Sequence, residues 1–168
     1  MKALAVSATT PSRIYLVGGA TSVLFGWRTS TIDIDLKIIP ENDEILRSLP
    51  ELKERLQVNI ELASPADFIP ELPGWQERSR FIEQEGKLAF HHYDFYAQAL
   101  AKIERGHRMD AQDVHQMFAN GLVEPKRLLE LFSSIEDWLY RYPAIDGRIF
   151  RRAVERVCES HADLADQS

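Results

Sequence analysis

Apolar and polar positions alternate along "TIDIDLKII", residues 31–39. Ile32, Ile34, Leu36 and Ile38 share one side and Asp33, Asp35 and Lys37 the other, the period of a strand with one buried face. Upstream, "RIYLV", 13–17, predicts a buried strand running into a tight turn at Gly18-Gly19, and "TSVLFGW" a short helix that Thr21 or Ser22 can cap. Pro40 ends the second strand. Residues 41–56 follow a charged helical pattern interrupted at Pro50, and "QVNIEL", 57–62, alternates again, with Asn59 and Glu61 on its polar side. The prolines of "ASPADFIPELPGW", 63–75, predict a loop crossing the surface, and "SRFIEQEGKLAFHHY" predicts a hairpin turning at Glu85-Gly86.

From Asp94 the spacing becomes helical. Tyr93, Tyr96, Ala97, Leu100 and Ile103 fall on one face, and Gly106 closes the element. A second helix starts at Asp110, with Asp113 in its first turn, and runs to Asn120-Gly121. Pro125 opens a third, with Leu128, Leu131, Phe132, Ile135 and Leu139 inward as far as Pro143. A fourth runs from about Asp146 to His161. Strands and short helices in front of a run of helices make an α+β chain, a core over 1–92 and a helical part over 93–168 packed as one unit.

Composition narrows the class. With 45% apolar residues the chain can bury one sizeable core, and no apolar run reaches the length of a membrane span. The start "ALAVSA" meets Pro11, Ser12 and Arg13 too soon for a signal-peptide core, so a soluble, cytoplasmic protein with no membrane partner is expected. A lone cysteine, Cys158, excludes an internal disulfide and reads as core filler. The net charge of −6 argues against broad nucleic-acid binding, although residues 125–156 are locally basic.

Candidate chemistry sits on the second strand. Asp33 and Asp35 point to the same side, a few ångströms apart, and like charges at about 4 Å repel by roughly 1 kcal/mol in water and roughly 4 at an effective dielectric of 20. A divalent cation would neutralise the pair, and hard carboxylate oxygens suit Mg²⁺ or Mn²⁺. The Gly18-Gly19 turn, set between a strand and a helix, can bring backbone amides close to an anion. His91 and His92 are adjacent on a strand and face opposite ways. With His107 and His115 they show no metal spacing. Arg28 reads as an exposed loop arginine, and Trp75, Trp138, Tyr93 and Tyr96 as packing residues.

"VGGATS" followed by "DIDL" resembles the DNA polymerase β-like nucleotidyltransferase superfamily: a glycine turn, a spacer of about a dozen residues, then Asp-hydrophobic-Asp on the next strand. The resemblance implies a small mixed sheet with a C-terminal helical layer. It also implies transfer of a nucleoside monophosphate from a triphosphate such as ATP, with Gly18, Gly19 and Ser22 at the triphosphate and Asp33 and Asp35 as metal ligands. A third carboxylate is expected from the neighbouring strand. Glu61 is chosen for it, with Asn59, which offers a carbonyl but no negative charge, as the alternative. The segment "YAQALAKIERGHRMDAQDV" resembles bacterial nucleotidyltransferase-like toxins of the AbiEii and MenT type. This likeness implies that Lys102 reaches the triphosphate, with Asp110 and Asp113 close by; helix capping is the competing role for both aspartates. The acceptor implied is RNA such as tRNA, a protein or a small molecule, with an antitoxin as possible partner. A module that binds nucleotide or protein without turnover is the alternative.

Overall fold

A computed structural model describes residues 1–165. Of the span expected to be helical, 166–168 lie outside the described residues. The chain forms two compact units, one of 1–64 with 76–93 and the other of 65–75 with 94–168.

The first unit is a five-stranded mixed sheet. Its strands are β1 (Ser12–Val17), β2 (Asp33–Ile39), β3 (Asn59–Leu62), β4 (Arg80–Glu85) and β5 (Leu88–His92), in spatial order β3-β2-β1-β5-β4. β1 runs antiparallel to β2 and parallel to β5, β2 runs parallel to β3, and β4 and β5 form the expected hairpin. Helices α1 (Lys2–Ala5), α2 (Gly19–Leu24) and α3 (Asp43–Leu56) complete the unit, and a single turn, α4 (Trp75–Arg78), precedes β4. Strand alternation puts Ile14 and Leu16, Leu36 and Ile38, Ile60, and Leu88 and Phe90 into one cluster, which Ile45, Leu49 and Leu52 of α3 join. The polar positions of β2 are thereby committed to the opposite face.

Several boundaries differ from the sequence reading. β2 starts at Asp33, leaving Ile32 69% exposed. α3 is not interrupted at Pro50: it begins at Asp43 and runs through the proline to Leu56. Pro50 sits on the exposed side, so the lost N–H removes one hydrogen bond while the buried face holds the helix together. Asn42 caps it, accepting from the Ile45 amide at 3.2 Å. α2 is capped by neither Thr21 nor Ser22. Gly18 is its N-cap, and both hydroxyls are buried and turned back onto carbonyls.

The second unit contains α5 (Phe95–Arg105), α6 (Arg108–Ala119), α7 (Pro125–Glu136) and α8 (Gly147–Ala165). Asp94 caps α5 through the Tyr96 amide, and Gly106 ends it at φ +69°. Asp146 accepts from the Arg148 and Ile149 amides at the start of α8. α7 stops at Glu136 rather than near Pro143, and Leu139 lies in a separate 3₁₀ turn, Leu139–Arg141. The loop over 63–75 does not merely cross the surface: Ile69, Leu72 and Trp75 are buried, and the Tyr142 hydroxyl donates to the Ala66 carbonyl at 2.9 Å. Its apolar residues outweigh its prolines. Cys158 is core filler, as expected, and burial pushes its thiol up to about 11.

The uninterrupted α3 has a measurable consequence. Pro50→Ala restores one backbone donor on an exposed face and raises stability to urea by about 2 kcal/mol, the helix-propensity gain less the added entropy of the unfolded chain. An unchanged or lower midpoint counts against this account of the helix.

Candidate functional site

The sheet register decides which polar groups meet. Asp33 pairs with Asn59 and Asp35 with Glu61 along the parallel β2–β3 ladder, so all four side chains stand on one face. Asn59 lies between carboxylates, its Nδ2 donating to Glu61 Oε1 at 2.8 Å and to Asp33 Oδ1 at 3.3 Å. Both positions considered for the third carboxylate are thus occupied on that face. Glu61 is the neighbour of Asp35, and Asn59 is the neutral bridge.

β1 brings the glycine turn to the same edge, since Val17 is the partner of Asp35 and Gly18 follows it. Gly18 has φ +60° and ψ −125°, a conformation reserved for glycine, and a Cβ there would stand 3.2 Å from Asp35 Oδ2. At Gly19 a Cβ would fall 2.5 Å from Thr31 Oγ1. Thr31 in turn donates to the Asp33 carbonyl at 2.9 Å and accepts from the Asp33 amide, which ties the glycine turn to the start of β2. Ser22 is fully buried and donates to the Gly18 carbonyl at 3.2 Å, supporting the turn from beneath. Reasoning from sequence missed the roles of Thr31 and Asn59, although both lie two residues from a carboxylate already singled out.

His92 anchors α2 to the sheet. Its Nδ1 is 3.2 Å from Thr21 Oγ1, whose proton goes to the Leu16 carbonyl, so a neutral imidazole donates there. Burial, aided by the charge of Arg80, lowers His92 to about 4. His91 faces the other side and stacks on Tyr15 with ring centroids 5.3 Å apart.

In the helical unit, Lys102, Asp110 and Asp113 come together in a buried network. Lys102 is 7% exposed, and its Nζ lies 2.6 Å from Asp113 Oδ2 and 3.2 Å from Asp110 Oδ1. Arg105 adds a bidentate pair to Asp110 at 2.6 and 2.7 Å. Burial alone would raise Asp110, but the hydrogen bonds and charges of Arg105 and Lys102 outweigh it and hold the carboxyl below its ordinary range. Neither aspartate caps α6: His107 is the N-cap and Asp110 is third in the helix, its carboxylate committed to cations on α5. The competing capping role is thereby corrected.

Among the described residues, no three His, Cys, Asp or Glu side chains stand close enough to hold a metal ion by themselves. The oxygen donors of β2 and β3 fit Mg²⁺ or Mn²⁺ all the same, because such ions commonly take one or two carboxylates and complete their shell with water and substrate phosphates. One or two of Asp33, Asp35 and Glu61 could hold such an ion in that way.

A family model described as "Nucleotidyltransferase of unknown function (DUF6036)" matches residues 1–148. No curated protein and no solved structure matches the chain.

Gly18→Ala is expected to lower stability by about 1–3 kcal/mol in urea unfolding, since alanine is strained at this φ and ψ. A neutral effect would show that the turn relaxes freely. For His92 the folded value of about 4 lies below the ordinary 6.5. Its contribution is therefore present above pH 6.5 and lost as pH falls toward 4. Stability of the parent should decline more steeply over that window than that of His92→Gln, and parallel profiles would refute the assignment.

Proposed function

The chain belongs to the family of nucleotidyltransferases of unknown function, and from that membership we propose that it moves a nucleoside monophosphate from a triphosphate such as ATP onto an acceptor. The supporting observation is the alignment of Asp33, Asp35 and Glu61 on one face of the sheet, beside the bare backbone of Gly18.

In this reading Asp33 and Asp35 hold Mg²⁺ or Mn²⁺ with Glu61 at their side, and the ion supplies positive charge for the phosphate oxygens. Gly18 and Gly19 present backbone amides to the polyphosphate with no side chain in the way. Asn59 keeps Asp33 and Glu61 in fixed orientations through its two hydrogen bonds. Glu61 takes the proton of the attacking hydroxyl, whose oxygen bonds to the α-phosphorus as the α–β bridging bond breaks and pyrophosphate leaves. Lys102 can reach a triphosphate only by leaving two carboxylates, so its part here is to hold α5 against α6. The acceptor we favour is an RNA end such as that of tRNA, ahead of a protein or a small solute. By likeness to the AbiEii and MenT toxins, the reading extends to a toxin restrained by an antitoxin.

One observation favours a second reading. The Asn59 amide already relieves the crowding of Asp33 and Glu61 without a cation, as suits a nucleotide-binding or protein-interaction module that has lost turnover.

Incubation of the purified chain with each α-labelled nucleoside triphosphate, Mg²⁺ or Mn²⁺, and the RNA, protein and small-solute fractions of a cell extract separates the readings. The transferase should label one fraction, and Asp33→Asn and Asp35→Asn should each lower labelling by roughly 100-fold or more. Equal labelling by all three proteins eliminates this site, and binding of nucleotide without transfer selects the module.

A further inference from the structure

Two imidazoles from distant points of the chain meet nitrogen to nitrogen in the helical unit. Nδ1 of His115 on α6 lies 3.1 Å from Nε2 of His161 on α8. The His161 ring is held on both sides. It stacks on Phe118 with centroids 4.3 Å apart and planes within 20°, and its Nδ1 is 2.8 Å from the Val157 carbonyl. Nδ1 therefore carries the proton and donates to that carbonyl, which leaves the lone pair of Nε2 facing His115. Histidine metal ligands are oriented in this way, by donating the other ring N–H to a backbone oxygen.

The geometry points to a two-nitrogen site for a borderline transition-metal cation of the Zn²⁺, Ni²⁺ or Cu²⁺ type, bridging α6 and α8 through His115 and His161. With metal–nitrogen distances of about 2.05 Å, a separation of 3.1 Å corresponds to a ligand–metal–ligand angle of about 100°, which suits adjacent positions of a tetrahedral or square shell. The proton that otherwise joins the two rings moves to Nε2 of His115, so the cation enters between two neutral imidazoles. No third His, Cys, Asp or Glu among the described residues completes the set, and His115 is exposed, so water fills the remaining positions. Imidazole nitrogens prefer these metals to Mg²⁺ or Mn²⁺. The site is thus chemically separate from the oxygen donors of β2 and does not depend on the proposed transferase. By bridging two helices it ties folding of that unit to metal concentration.

The untagged chain is titrated with Zn²⁺ by calorimetry, and with Cu²⁺ for electron paramagnetic resonance, both in excess Mg²⁺ to mask carboxylate sites. The site predicts a single saturable equivalent, nitrogen hyperfine structure from two imidazoles, and a thermal midpoint that climbs with metal. His115→Gln and His161→Gln should each weaken binding by at least about tenfold and abolish the climb, while circular dichroism without metal confirms that both fold. The proposal is overturned by absence of saturable binding, by a copper spectrum lacking two nitrogens, or by either variant binding as tightly as the parent.

Discussion

The register of β2 is the constraint on which the sheet unit depends. Leu36 and Ile38 are nearly fully buried, and each such side chain contributes about 1.5–3 kcal/mol by leaving water. A slip of one residue would turn Asp33, Asp35 and Lys37 into that core instead. The apolar demand on one face thus fixes the acidic face without any interaction between the carboxylates themselves, which repel. What makes their company tolerable is local. Asp33 is exposed, Asn59 donates to Asp33 and Glu61, and Gly18 lies beside Asp35 with no side chain of its own.

The helical unit solves a harder electrostatic problem. Three ionised groups, Lys102, Asp110 and Asp113, are almost entirely withdrawn from solvent, and the half-exposed Arg105 closes the charge balance. Such a network is a poor source of net stability but a strict selector of geometry, because removing either sign strands the other in a medium of low dielectric. It fixes which turn of α5 faces which turn of α6.

Much of this was legible in the chain, for identifiable reasons. β2 and β3 follow from period-two alternation, β1 from an apolar run stopped at Gly18-Gly19 and the β4–β5 hairpin from two short runs about Glu85-Gly86, while Gly106, Pro125 and Asp146 mark helix ends through backbone chemistry that acts locally. The failures share a cause: tertiary burial overriding a local signal. Pro50 reads as a break, yet Ile45, Leu49 and Leu52 carry the helix past it. The prolines of 63–75 read as a surface loop, yet Ile69, Leu72 and Trp75 take that segment inward. Asp110 reads as a cap, since partners eight and five residues upstream leave no periodic trace. In the candidate site Asp33, Asp35, Gly18 and Gly19 stood out by type and spacing. The bridging of Asn59 needed the β2–β3 register, and the meeting of His115 with His161, 46 residues apart, needed the helix packing.

The burial of Cys158 has a practical corollary. Its thiol is 2% exposed and raised to about 11, so at neutral pH it offers almost no thiolate to an alkylating reagent. As the chain has no other cysteine, one introduced at exposed Glu54 on α3 would be the sole handle for a maleimide dye. A fluorophore could then report on the sheet unit with the native sulfur left in place.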